Sequence, residues 1–353
     1  MDKYTTIENG STLKMAFPYK TEFTNCEIKI HFHRTLRIPD DNKKYNLPPS
    51  LGHFPLEHTD DFADKLPENW KDHGGVFLPM YQSEAMWISF TSDWPFAVKI
   101  ASGKVNAVSG KQWTNQLEKT QDGDTQDYII VPSQPWLDGF NVSKGVIRQF
   151  VSVPLNSGFT VEEQVTGNAE VGGLQIMVFP MKEEEFRKID RPVFAGAVAC
   201  ASGSLESFSM PMKKSSALRG ISASASSEMG FGAGGFMKQE IYADKYGIDK
   251  WCDDSQRVFI HLLNSLEYKN VTGKNPPTKP LEPKDYQRYG YTWFDYYSDD
   301  VAINGSNILS KVDSIAELEV KTDKNILIDN SSFDSNKDKL VKIGKKTVKN
   351  GKW

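Results

Sequence analysis

Residues 146–155, VIRQFVSVPL, alternate in polarity and constrain the fold more than any other stretch of this chain. In an extended strand successive side chains point to opposite faces. Ile147, Gln149, Val151 and Val153 therefore share one face, and Arg148, Phe150 and Ser152 take the other. Asn156-Ser157-Gly158 supplies turn chemistry, because glycine accepts the positive φ of a tight hairpin. A return strand is predicted over Phe159 to Val165, with Val161, Glu163 and Val165 on one side. Gly167, Gly172 and Gly173 then lead into an apolar strand, Leu174 to Phe179. Residues 127–181 thus read as strands and turns with little room for a helix. A second run, Cys26 to Ile38, alternates as cleanly: Cys26, Ile28, Ile30 and Phe32 on one side, Glu27, Lys29, His31 and His33 on the other.

These runs predict a mainly β chain, with an antiparallel β-sandwich or jelly-roll-like core over 26–182. Residues 1–25 read as a loose end. Residues 183–235 read as a short charged helix (KEEEFRKI, 182–189) followed by a Gly/Ala/Ser-rich loop. Gly230 to Gly235 in that loop satisfies GxGxxG, but no apolar strand precedes it, so a dinucleotide site is not expected. Over 236–300 we expect a helix and an aromatic segment packed on the core. Asp253-Asp254 would cap the helix from Ser255 to Asn270, with Phe259, Leu262, Leu263 and Leu266 as its buried stripe. Residues 301–353 form a C-terminal extension, with a helix over 306–318 and short strands near 325–328 and 340–343. Shorter helical stretches are predicted at 59–65 and 112–119.

The formal net charge is −4, which argues against a nucleic-acid-binding polycation. Its distribution is uneven. Residues 337–353 hold seven Lys and one Asp, a local charge of +6, so the preceding residues carry −10. Such a basic tail suits solvent or the acidic body of a second copy. Cys26, Cys200 and Cys252 have no metal or redox spacing, which fits reduced thiols in a cytoplasm. No apolar run approaches the ~18 residues of a membrane span.

Five of the six histidines fall between His31 and His73. His31 and His33 project from one side of one strand, and His53 and His58 follow in the next loop, so these four are the candidate ligands of a divalent metal. As polar groups of a sheet face and loop they need no metal. Three residues are candidates for acid–base chemistry. Asp138 lies beside Trp136 before Gly139, where it also reads as a turn residue. Glu163 lies on an apolar strand face, and Arg148 on the neighbouring strand could pair with it. Residues 286–297 hold seven aromatics. Trp136, Tyr291, Trp293 and Tyr296 are candidates for stacking on a small ligand or glycan, or for docking the segment onto the sheet. His261 reads as a satisfied core histidine. No GxSxG elbow or P-loop is present.

The strings IHFHRTLRIPDD, GHFPLEHTDDFADKLPENW, LPMYQSEAMWISF, QPWLDGF, GVIRQFVSVPL, TVEEQVTGNAEVGGLQI and KQEIYADKYGIDKW resemble an uncharacterised protein family of bacteria and some eukaryotic microbes. The resemblance spans about residues 26–300. Some members carry the automatic label "integral membrane protein", which the absence of a spanning segment here does not support. The resemblance implies no activity, cofactor or site residue. Without a nucleophile or metal motif, the leading expectation is a cytosolic, non-enzymatic protein that binds or self-assembles. A metal-dependent enzyme using His31 and His33 is the alternative, and a carbohydrate-binding β-sandwich the second.

Overall fold

The computed structural model describes residues 3–119, 126–189, 227–280, 293–327 and 340–344. Its strands, in order, begin with β1 (Tyr4–Glu8), β2 (Thr12–Lys20), β3 (Asn25–Thr35), β4 (Lys44–Tyr45), β5 (Glu57–His58) and β6 (Val76–Met80). They continue with β7 (Ala85–Thr91), β8 (Phe96–Ser102), β9 (Val105–Asn106), β10 (Ile129–Val131), β11 (Trp136–Leu137) and β12 (Gly139–Ser143). The last are β13 (Val146–Pro154), β14 (Leu174–Pro180), β15 (Glu228–Lys238), β16 (Gln256–Asn264), β17 (Trp293–Tyr296) and β18 (Leu340–Ile343).

The main path runs β1-β2-β3-β7-β13-β15-β16-β14-β8-β10. It folds into two layers because β15 crosses to β16 through only Glu228↔Leu263 and Met229↔Leu262. The layers meet over one interior, in which Phe17 of β2 faces Phe96 of β8 at 5.7 Å. The fold is mainly β and sandwich-like, as the alternating runs predict. On β3, Ile28, Ile30 and Phe32 are fully buried in that interior, each contributing about 1.5–3 kcal/mol. Ile147, Val151 and Val153 are also fully buried, but on the other side of β13 from Phe150. They lie under segments laid across the sheet rather than in the space between layers. Among the described residues no helix is long and apolar enough to cross a membrane.

Several local expectations are overturned. The expected loose end over 1–25 is ordered from residue 4, where β1 and β2 form a hairpin in register from Tyr4↔Ala16 to Glu8↔Thr12. The return strand over Phe159 to Val165 is instead a helix, Val161–Thr166. The Thr160 hydroxyl accepts from the Glu163 N–H and the Glu163 carboxylate accepts from the Thr160 N–H, a capping box that the sequence T-V-E-E encodes. Glu163 therefore caps a helix, and Arg148 pairs with Asp40 at 3.4 Å and Glu317 at 3.3 Å.

The helix expected over Ser255 to Asn270 is strand β16 followed by a shorter helix, Ser265–Thr272. Leu266, assigned to the buried stripe, is 63% exposed. Residues 112–119 form no helix. The 306–318 prediction is met by a 3-10 turn, Leu309–Lys311, and a helix displaced to Ile315–Thr322. The charged helix is present as Glu183–Ile189.

The Gly-rich stretch is the largest correction. Its described part, β15, lies at the centre of the sheet, and the core therefore extends well past residue 182. The glycines are there because backbone approaches closely. A Cβ on Gly235 would collide with the Pro39 carbonyl, and one on Gly232 would lie 2.8 Å from the Phe159 oxygen. Residues 190–226, Tyr286, Tyr289, Tyr291 and most of the basic tail lie outside the described residues.

Candidate functional site

Register across β3, β7 and β11 builds a patch on the outer face of one layer. His33 pairs with Trp87, and His31 with Ser89. Ser89 in turn pairs with Trp136, and Leu137 with Ile88. The next position, Asp138, therefore follows Trp87 in the same row. His53 joins at the other end through an isolated bridge to His33. One row reads His53, His33, Trp87, Asp138, and the next reads His31, Ser89, Trp136. The run MWISF already carries the signal for Trp87 and Ser89, because Met86, Ile88 and Phe90 alternate into the interior.

Three of the four histidine candidates converge. Ring centres lie 6.1 Å apart for His31 and His33, 5.0 Å for His31 and His53, and 4.5 Å for His33 and His53. Their ring nitrogens differ in use. His33 Nδ1 meets Ser50 Oγ at 2.9 Å and Nε2 meets Ser89 Oγ at 2.7 Å, while its ring lies flat on Trp87 at 3.6 Å. The His31 and His53 rings make no hydrogen bond among the described residues and reach solvent. Burial holds His31 down to about 4, with His53 and Lys29 adding to the effect. Burial also lowers His53, and burial with the two neighbouring imidazoles holds His33 well below the ordinary value. All three are neutral at pH 7. His58 lies apart on β5, paired with Val76. Among the described residues no group of three or more His, Cys, Asp or Glu is arranged to hold a metal.

Asp138 is not a turn residue. It is fully buried between β11 and β12, its N–H donating to Gln239 Oε1 at 3.0 Å and its carbonyl accepting from the Phe150 N–H at 3.1 Å. Neither carboxyl oxygen meets hydrogen-bond geometry with any described group. Burial pushes this carboxyl well above its usual range, opposed by the nearby Trp136 indole. Burial therefore favours its neutral, protonated form. The buried Trp87 Nε1 in the same row also lacks a partner.

The described aromatic candidates, Trp136, Trp293 and Tyr296, are spent in packing. Trp136 is 5% and Trp293 3% exposed. The Tyr296 ring meets Trp136 edge-on at 5.1 Å. Phe294 and Leu47 exchange backbone hydrogen bonds at 2.9 and 3.0 Å, fastening β17 over the patch. The crevice left beside Trp136 holds about 10 Å³, room for about one water at most. No sugar can stack there.

A wider groove opens further along. From His53 to His58 the chain is extended, with Phe54 and Leu56 inward and His53, Pro55 and Glu57 outward. Pro55 and Glu57 form one wall of a groove of about 440 Å³, and Tyr268, Lys274 and Pro276 the other. Lys274 Nζ donates to both Glu57 oxygens at 2.6 and 2.8 Å, and Tyr268 OH donates to one at 2.7 Å. The groove is shallow and open, with Pro55, Tyr268 and Pro276 around the Glu57–Lys274 pair. None of these groove residues carries a motif in the sequence. Residues 57 and 274 meet only because the short helix after β16 returns beside β5. Comparison of the chain with known protein families, with curated proteins and with solved structures finds no match to any of them.

Proposed function

We propose that this chain is a non-enzymatic binding protein of the cytoplasm, and that its ligand is a small polar molecule held in the groove between Glu57 and Lys274. The observation that supports this reading is the groove's composition. About 440 Å³ of space meets a carboxylate, an ammonium and a phenol that hold one another in place. A ligand bearing both a donor and an acceptor, such as a hydroxy acid, an amino acid or a monosaccharide, uses the lone pairs and proton that the Glu57–Lys274 pair leaves open while resting on Pro55 and Pro276. The described groove residues include no nucleophile with an adjacent base, which favours binding over catalysis. Free thiols at Cys26 and Cys252 fit a reducing compartment.

Ligand-observed NMR with a panel of those three compound classes tests the proposal. Saturable binding by wild type, weakened at least tenfold by Lys274→Ala and Glu57→Gln, is the expected outcome. A panel without a single saturable binder, or binding that both variants retain, overturns it. Light scattering that finds concentration-dependent oligomers and no ligand binding would put self-assembly in its place.

A further inference from the structure

The imidazole cluster beside the groove sorts its members by what their nitrogens do. His33 is spent: both ring nitrogens face serine hydroxyls and its face covers Trp87. His261 is spent as well, with Nε2 2.9 Å from the Gly74 carbonyl. His31 and His53 keep their nitrogens unengaged among the described residues and stand at the solvent edge of the patch. Their ring centres are 5.0 Å apart with planes tilted by 36°. With Zn–N bonds of about 2.0–2.1 Å, two imidazoles on one tetrahedral ion place their ring centres roughly 5 Å apart.

We propose that His31 and His53 form a two-ligand site for a borderline divalent cation of the Zn²⁺ class, leaving its other coordination positions to water or an exogenous donor. Neutral imidazole is the form that binds such ions, and the nearby cation Lys29, two residues from His31 on the same strand, is paired with Glu8 at 2.9 Å. His33 acts as the positioning residue. Its ring packs edge-on against His53 at 4.5 Å and is clamped by Ser50 and Ser89, so it holds His53 toward His31. The set excludes His58, which lies on a different strand, and requires no cysteine. With two protein ligands the ion keeps open positions, the arrangement of a binding or catalytic centre rather than a closed structural one. The inference does not depend on the groove being occupied, since the two sites share no side chain.

Equilibrium dialysis of the full chain, freed of metal and titrated with Zn²⁺, tests it. One equivalent bound, weakened at least tenfold by His31→Ala and by His53→Gln but unchanged by His58→Ala, is the expected result. Both substituted side chains reach solvent, and an unaltered thermal midpoint of the metal-free variants shows that they fold. Zinc-edge absorption should then show two imidazole ligands, and His33→Gln should weaken binding without removing an imidazole from the count. No stoichiometric Zn²⁺, or binding that survives both His31→Ala and His53→Gln, overturns the site and leaves the groove proposal standing.

Discussion

The corner around Lys99 and the buried pair Trp87 and Asp138 are both nearly dry, yet they handle an acid in opposite ways. Lys99 is 1% exposed, and its ammonium donates to Asp127 Oδ2 at 2.7 Å, to Thr114 Oγ1 at 2.7 Å and to the Gln116 carbonyl. Asp127 Oδ1 takes the Glu118 N–H at 2.9 Å, and Trp113 lies under the ammonium at 5.2 Å. Burial pushes the Asp127 carboxyl up, while Lys99 and Glu118 pull it back. Asp138 has no cation beside it among the described residues, and burial pushes its carboxyl well above the usual range against only the Trp136 indole. The difference teaches that burial alone does not mark a site in this protein. Lys99 has every proton placed and is structural, whereas an acid and an indole in one row that meet no hydrogen-bond geometry among the described residues mark a face that packing alone did not shape.

The largest test of this contrast is Lys99→Ala. Removing the ammonium strands the Asp127 carboxylate in the interior and should cost about 3–5 kcal/mol, read as a lower urea midpoint. A loss under about 1 kcal/mol would mean the corner is wet and the comparison false.

Next in size is the pH dependence carried by Asp138. Its folded pKa lies above the unfolded value of about 3.9, so the folded state holds the proton more tightly. The stability this group contributes is complete below that unfolded value and declines as pH rises toward the folded pKa. The decline is at most about 1.4 kcal/mol per pH unit. Asp138→Asn lacks the titration, so the variant should gain on wild type between pH 4 and pH 7 in parallel urea melts. A difference that stays flat with pH would show that the carboxyl has a donor after all.

A smaller effect separates two tryptophans. Trp94 Nε1 donates to the Met181 carbonyl at 3.0 Å, whereas Trp87 Nε1 donates to nothing described. Trp94→Phe should therefore cost about 1 kcal/mol more than Trp87→Phe, and equal losses would argue that Trp87 is satisfied. The smallest change belongs to the double variant Lys99→Met with Asp127→Leu. Replacing a whole buried pair by apolar volume is often near neutral, so its thermal midpoint should stay close to wild type while Lys99→Ala falls. A double variant as damaged as the single one would assign the corner a role beyond pairing charge.

Legibility followed periodicity and failed where two structures share one period. The alternation of Cys26 to Phe32 and of Ile147 to Val153 was readable because each strand has a different environment on each side. Val161 to Val165 alternates equally well, yet Thr160 and Glu163 stand at capping-box spacing, and that local signal decided for a helix. The run VFIHLLN carries few turn signals, so its apolar continuity suited a helix or a doubly buried strand alike. Pairing on both sides, with β14 and β6, made it a strand. At the candidate site, His31 and His33 were visible as a strand pair. That His33 is consumed by Ser50 and Ser89, and that His53 replaces it beside His31, was not.

By itself the chain determined that it would be built from two-sided extended segments, that its charge would be segregated toward one end, and that its histidines would crowd into its first quarter. Those properties are local, set by residue order and by the two-residue period of a strand. Only the tertiary structure decided that a glycine-rich stretch would lie at the centre of the sheet, that Asp138 would lose its water without gaining a donor, and that Glu57 would meet Lys274. Each of these depends on which backbones approach across tens to hundreds of residues of sequence, and no local pattern encodes that distance.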